Sequence, residues 1–235
     1  MTSLADQTTE ELGGRLSVLW RQKSDHIELD RLLKELDAAT TREEEDRVLQ
    51  RIYRLVFPHA FAEETVLWPV IRRLLPEGEA LTLEVEQEHQ EVNELVRSLE
   101  DEKEPSADRA LRIERLAAVL REDVRDEEDE LLPRLQEKLS VPQLRALGVA
   151  WEAVRRISPT RAHPVVARRP PGNVLSSLPL SAVDRLRDGA DVLARGDVAP
   201  HLVEPAQRGL TRAARRLEGV GPFRRGEHPS THSGD

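Results

Sequence analysis

The side chains able to do chemistry fall into two matched sets. The first is His26, within Ser24-Asp25-His26-Ile27-Glu28-Leu29, then His59, Glu63 and Glu64, followed by Leu67-Trp68-Pro69. The second is His89, within Glu88-His89-Gln90-Glu91-Val92, then Asp123, Glu127 and Glu128, followed by Leu131-Leu132-Pro133. Corresponding positions lie 63 or 64 residues apart. Six of these residues, His26, His59, Glu63, His89, Asp123 and Glu127, offer three imidazoles and three carboxylates. A carboxylate can bridge two cations and offset their charge. Imidazoles fill terminal positions and favour transition metals over magnesium or calcium. Two octahedral metals have about 12 coordination positions. If Glu63 and Glu127 bridge, they fill about four, the other four residues fill about four more, and a bridging oxygen takes about two. Roughly two positions stay open for dioxygen, peroxide or nitric oxide. The plainer reading is a shared helical rhythm with stray histidines. It would leave several buried charges unpaired in both halves, which is costly.

Helices must position these groups. His59 and Glu63 are spaced i, i+4, as are Asp123 and Glu127, so each pair shares one helix face. Thr8-Thr9-Glu10-Glu11 reads as a capping box opening a first helix that runs to about Ala39. Its inward stripe is Leu12, Leu16, Leu19, His26, Leu29, Leu33 and Leu36. Thr41-Arg42-Glu43-Glu44 opens a second helix, with Val48, Ile52, Leu55, Val56, His59, Glu63, Val66, Leu67 and Val70 inward and Pro58 inside it. A third spans about 79–100, with Leu81, Val85, His89, Val92, Val96 and Leu99 inward. The run 101–106 reads as a polar loop. A fourth helix spans about 107–138, with Ile113, Leu116, Val119, Leu120, Asp123, Glu127, Leu131 and Leu135 inward. The expected fold is all-α: an up-down-up-down four-helix bundle with an added short helix, from Pro142 to about Arg156, and a Pro/Arg-rich C-terminal extension.

Composition agrees with helices: 38% hydrophobic, 34% charged and only 3% aromatic. No cysteine is present, so disulfides, thiolate metal sites and a cysteine nucleophile are excluded, and a metal must use imidazole and carboxylate, which suit iron, manganese or zinc. The net charge of −9 argues against nucleic acid or anionic membrane as a partner. No transmembrane stretch or signal segment is evident, so the expected location is cytoplasmic. The chain changes character near Ser158. Residues 158–235 hold 12 Arg, no Lys and nine of the 15 prolines. This divides the chain into 1–157 and 158–235. The second part reads as a Pro-rich strap that packs along the bundle, helices near 181–195 and 201–217, and a disordered tail from 221. His163, His201, His228 and His232 fall in loops or tail as structural or solvent-exposed residues.

His26, the His59-x-x-x-Glu63-Glu64 run with Leu67-Trp68-Pro69, His89, and Glu127-Glu128 with Leu131-Leu132-Pro133 together resemble the hemerythrin-like, or HHE cation-binding, domain over roughly residues 10–140. That resemblance implies a four-helix bundle around a non-heme di-iron centre. It implies His26, His59, His89, Glu63 and Glu127 as ligands of two iron ions. Two positions depart from the pattern. Residue 123, histidine in the family, is Asp123, and the residue one turn after His89 is Asn93, where oxygen carriers have histidine. Asp123 can still bind iron, with a shorter stem and an added negative charge that favours the ferric state. The expected function is binding or sensing of a small diatomic or peroxide ligand, or iron handling under oxidative stress. The alternatives are a di-iron redox enzyme turning over peroxide or nitric oxide, and a metal-poor helical interaction module. No protein partner is indicated.

Overall fold

The computed structural model describes residues 2–101, 108–195 and 200–231. Among the described residues there is no strand. Helix α1 spans Val18–Asp37. Helix α2, Arg42–Ala62, continues through a π-helical turn at Glu63–Leu67 into α3, Trp68–Leu74. Helix α4 spans Gly78–Glu100. Helix α5, Arg109–Asp126, continues through a second π-helical turn at Glu127–Leu131 into α6, Leu132–Lys138. Helices α7 (Val141–Ile157), α8 (Gly172–Arg195) and α9 (Pro200–Glu218) follow. Helix α1 packs on α2, α5 and α7, and α4 packs on α3 and α5. Among the described residues no helix is long and apolar enough to cross a membrane.

The Thr41 capping box forms as expected, with Glu44 and Thr41 satisfying each other's backbone N–H groups. The Thr8 box also forms, Glu11 accepting from the Thr8 backbone at 2.7 Å, but it does not open the first long helix. Gly13 and Gly14, both at φ +87°, break the chain direction, and Ser17 caps α1 instead, accepting from the Leu19 backbone. Helix α1 therefore starts nine residues later than its capping signal suggests, with its cap at Ser17 and not at Thr8. Leu16 lies in the connection and is exposed, not inward. Helix α7 crosses against this connection at Gly148, where a Cβ would come within 2.1 Å of the Leu16 carbonyl.

Two apolar clusters form the core. One holds Leu29 to Leu36, Val48 to Phe57, Val92 to Leu99 and Leu116 to Leu120. The other holds Leu19, Ala62 to Leu75, Val85, Leu131 to Leu135 and Trp151. Each long helix passes from one cluster to the other through a polar residue: His26, His59 with Glu63, His89, and Glu127. The candidate ligands thus share one buried layer between two greasy halves.

The extension is pinned to this core by charge. Arg169 pairs with Glu86 at 2.7 Å, which Arg72 also meets at 2.6 Å. Arg161 meets Glu100 at 3.0 Å. Ala162 is buried in the first cluster, and Arg97 donates to its carbonyl at 3.0 Å. The tail departs from the expected disorder over its described part. The Phe223 and Arg225 carbonyls accept from Ala167 and Gly172, and Thr231 is buried. Gly172 makes this possible, since a Cβ there would fall 2.5 Å from the Arg225 carbonyl. Helix α8 also begins nine residues earlier than expected, and residue 201 lies within α9. The expected loop beyond Asp101 and His232 lie outside the described residues.

His163 is a buried junction. Its Nδ1 lies 2.8 Å from Glu218 and its Nε2 3.0 Å from Asp184. Burial acts to lower its pKa, but the two carboxylates outweigh burial and raise it. Burial acts to raise the pKa values of Asp184 and Glu218, and His163 outweighs it and holds both low. A raised histidine lends stability that is complete below its unfolded pKa and is lost as pH rises through the folded one. The lowered carboxylates lend stability that is lost as pH falls through their folded values. The full chain is therefore expected to be most stable between these limits. His163→Ala should make the alkaline decline shallower without abolishing it, because His26, His59 and His89 are raised as well. It should cost about 3 kcal/mol, the low end for a broken buried pair, because Arg97 and Arg187 still face the carboxylates. Urea unfolding of both proteins across pH checks this; parallel alkaline slopes would assign the decline to another group.

Candidate metal centre

Each π-helical turn sits where a ligand carboxylate is needed. The Trp68 backbone N–H reaches back to the Glu63 carbonyl, and that of Leu132 to Glu127, five residues in each case. Pro69 and Pro133 follow directly and bring no N–H of their own to the ladder. The widened turn lets consecutive glutamates both point inward: Glu63 with Glu64, and Glu127 with Glu128, all four buried. Such turns recur at functional sites.

Three imidazoles present Nε2 to the two inner carboxylates. His26 Nε2 lies 3.2 Å from Glu127, His59 Nε2 lies 3.0 Å from Glu63, and His89 Nε2 lies 3.7 Å from Glu63. Donor atoms of His26, His59 and Glu127 all fall within 4.8 Å of one another, as do those of Glu63, His89 and Glu127, so Glu127 is common to both groups. Asp123 stands beside the second group, its Oδ1 3.5 Å from His89 Nε2. All six predicted residues therefore face one buried layer, with Asp123 the most peripheral. Trp151 meets the His59 ring edge-on at 5.3 Å, and Trp68 stacks on His89 at 6.4 Å. Asn93 donates to the His89 carbonyl at 2.8 Å and accepts from the His163 backbone at 2.9 Å, so it ties α4 to the segment around His163.

The opposite nitrogen of every histidine is also held. His26 Nδ1 pairs with Glu128 at 2.8 Å, His59 Nδ1 with Asp25 at 3.1 Å, and His89 Nδ1 with Glu64 at 3.0 Å. A carboxylate behind the imidazole fixes the ring and the tautomer that leaves Nε2 free to donate its lone pair. Sequence reasoning placed Glu64 and Glu128 in the matched sets without a role and did not pick out Asp25. The signal was present, because Glu64 and Glu128 are 64 residues apart and flank the ligand positions. The bond from His26 to Glu128 and that from His89 to Glu64 cross between the matched halves. The counterpart of Asp25 is Glu88. With Asp123 in place of an imidazole it faces like charge; burial, Asp123 and Asp126 push its pKa to about 8.

The charge balance calls for a cation. Both carboxylate oxygens of Glu63 and of Glu127 are buried without a hydrogen bond, as is Asp123 Oδ1. Burial, with Glu63 and Asp123 nearby, pushes the Glu127 pKa to about 8. Burial opposes protonation of His26, but Glu127 and Glu128 outweigh it and push its pKa to about 9. His59 and His89 are likewise raised well above the ordinary value against burial, by Glu63 with Asp25 and by Asp123 with Glu64. The free imidazoles thus hold protons where a metal would place its charge. Orphaned carboxylates opposite Nε2 atoms, with no sulfur, fit a transition-metal cation.

The hemerythrin HHE cation-binding domain model matches residues 18–135, just over half of the chain, and the chain belongs to that family. A hemerythrin-like protein of Schizosaccharomyces pombe, described as uncharacterized, is 26% identical over 131 residues, 55% of this chain and 64% of that protein. A DNA nickase of a Nostoc species is 26% identical over 133 residues, 57% of this chain and 37% of that protein. The chain therefore spans less than two thirds of either relative. No solved structure matches it with significance.

Asp123→His should place an imidazole before Glu88, as His59 stands before Asp25. Metal retention is expected to rise about tenfold, the scale on which a histidine–carboxylate pair acts. Competition with a chelator measures this. Unchanged retention would mean that residue 123 is not a ligand.

Proposed function

We propose that this protein is a non-heme di-iron protein that binds or senses a small ligand: dioxygen, peroxide or nitric oxide. The observation that carries the reading is the set of four orphaned oxygens on Glu63 and Glu127, buried opposite the Nε2 atoms of three histidines. In this reading α1, α2 with α3, α4, and α5 with α6 form an up-down-up-down four-helix bundle. His26, His59 and Glu127 would hold one iron, and Glu63, His89 and Glu127, with Asp123 beside them, would hold the other. Bound iron would supply open coordination positions and reducing electrons. The chain's own residues do the rest. Asp25, Glu64 and Glu128 keep each imidazole oriented with Nε2 inward, and the two apolar clusters exclude water. A cavity of about 30 Å³, lined by Leu29, Val56, Phe57 and Leu120 as well as His26, His59 and His89, has room for one small molecule.

The name of the Nostoc relative is not carried over, since the match covers a minor part of that protein. A cytoplasmic location is part of this proposal. We place the metal-binding unit in residues 1–157 and a separate extension in 158–235.

Anaerobic iron loading should give about two irons per chain. Loading should release protons and weaken as pH falls, because the raised imidazoles must give up protons to bind metal. Elemental analysis with proton-release titration tests both statements; one iron or none per chain rules out the dinuclear form. His59→Ala should lose metal. Ending the chain at Ile157 should leave a helical protein that still takes up iron, since all six facing groups precede it. Loss of metal there would show that the extension belongs to the same core.

A further inference from the structure

Two arginines outside the family-matched segment stand behind the carboxylates that hold two of the three histidines. His59 Nδ1 meets Asp25 Oδ2, and the same oxygen lies 3.4 Å from Arg155 Nη1 on α7. His89 Nδ1 meets Glu64 Oε1, and the same oxygen lies 3.8 Å from Arg168 Nη1 in the strap. The histidine–carboxylate pair thus extends in both cases to a guanidinium. His26 differs: Glu128 is its partner, and no ion pair of Glu128 with an arginine occurs among the described residues. Both arginines are held from other directions. Arg155 pairs with Glu152 at 3.1 Å and lies over the Trp151 ring. Arg168 is buried and donates to the His163 carbonyl at 2.9 Å and the Val166 carbonyl at 3.3 Å. Neither depends on the carboxylate alone for its position.

We propose that Arg155 and Arg168 are positioning residues that set the donor strength of His59 and His89, so that the C-terminal part of the chain tunes the reduction potential of the metal pair. The inference rests on the metal reading above. A carboxylate that accepts from Nδ1 makes the imidazole a stronger electron donor, which favours the more oxidised metal. A guanidinium on the same oxygen withdraws that charge and weakens the effect. Its own positive charge adds in the same direction at short range, more strongly for the buried Arg168 than for the part-exposed Arg155. Removing either arginine should therefore favour the ferric state and lower the potential. His26 has no such brake, so the two metal positions are unequal in electrostatics as well as in ligands.

The test is the reduction potential and the ferrous and ferric affinities of the full-length iron-loaded chain. Arg155→Gln and Arg168→Gln should each lower the potential, with the ratio of ferric to ferrous affinity rising roughly tenfold. Arg168→Lys should restore most of the wild-type value, since it keeps the charge. Arg169→Gln is the control: it loosens the strap from Glu86 and Glu79 but reaches no carboxylate behind a histidine, and the potential should stay unchanged. Equal potentials in wild type, Arg155→Gln and Arg168→Gln overturn the inference while leaving the metal reading intact. An equal fall in Arg169→Gln overturns it as well, because the effect would then follow from strap anchoring. Absence of iron from the wild type would sink the metal reading first. If Arg168→Gln does not fold, Arg155→Gln, on a part-exposed side chain of α7, decides alone.

Discussion

Two carboxylates buried away from solvent constrain the rest of this structure. Glu63 and Glu127 sit at the centre of the protein with no exposure and no hydrogen bond to either oxygen. An uncompensated charge in such a place costs several kcal/mol, roughly the whole margin by which a domain is stable. Three imidazoles answer that charge, and a second layer of carboxylates answers the imidazoles. The polar layer is therefore not a defect in the core but a charge-alternating stack. Two apolar clusters close over it on either side and keep the dielectric low, which makes every partner in the stack matter more.

The repeat explains how a chain of ordinary helices reaches this arrangement. Consecutive glutamates on a regular helix point about 100° apart, so only one would normally face the centre. The π-helical turns at Glu63–Leu67 and Glu127–Leu131 change the local period, and the glutamates at 64 and 128 turn inward as well. These are the residues that cross between halves to hold His89 and His26. One local device, used twice, thus supplies both the central carboxylates and the clamps behind two histidines. It also ties the halves together, because each clamp serves the other half's imidazole.

Much of this was legible in the sequence. The apolar stripes, the Thr41 capping box and the placement of His26, His59, Glu63, His89 and Glu127 on inward faces follow from helical periodicity alone. The clamping role of Asp25, Glu64 and Glu128 is not legible because all three sit next to ligand positions, where a regular helix turns them away. Only the widened turns and helix-to-helix distances reveal two of them. The start of α1 was misplaced because the Thr8 box is a valid cap for a single turn, and the two glycines after it carried the stronger signal. His163 lies in a loop, as expected, but its carboxylate partners, 21 and 55 residues further on, are not legible in the sequence. The strap packs along the bundle as expected, but the order of the tail is not legible. It is held by backbone bonds between distant segments, and composition does not encode those.

The substitution at position 123 shows how the layers depend on one another. In the first half, Asp25 holds His59, and Arg155 limits the charge on Asp25. In the second half the imidazole is replaced by Asp123, so Glu88 loses the group that it would have clamped. Two carboxylates then face each other, and Glu88 is pushed toward its neutral form. The extra negative charge falls on the side where His89 already carries Glu64. The strap brings Arg168 to that same side, behind Glu64. A buried guanidinium there counters part of the charge that Asp123 adds, while Glu128, behind His26, makes no ion pair with an arginine among the described residues. The C-terminal extension and the unusual aspartate are thus two ends of one electrostatic balance around His89.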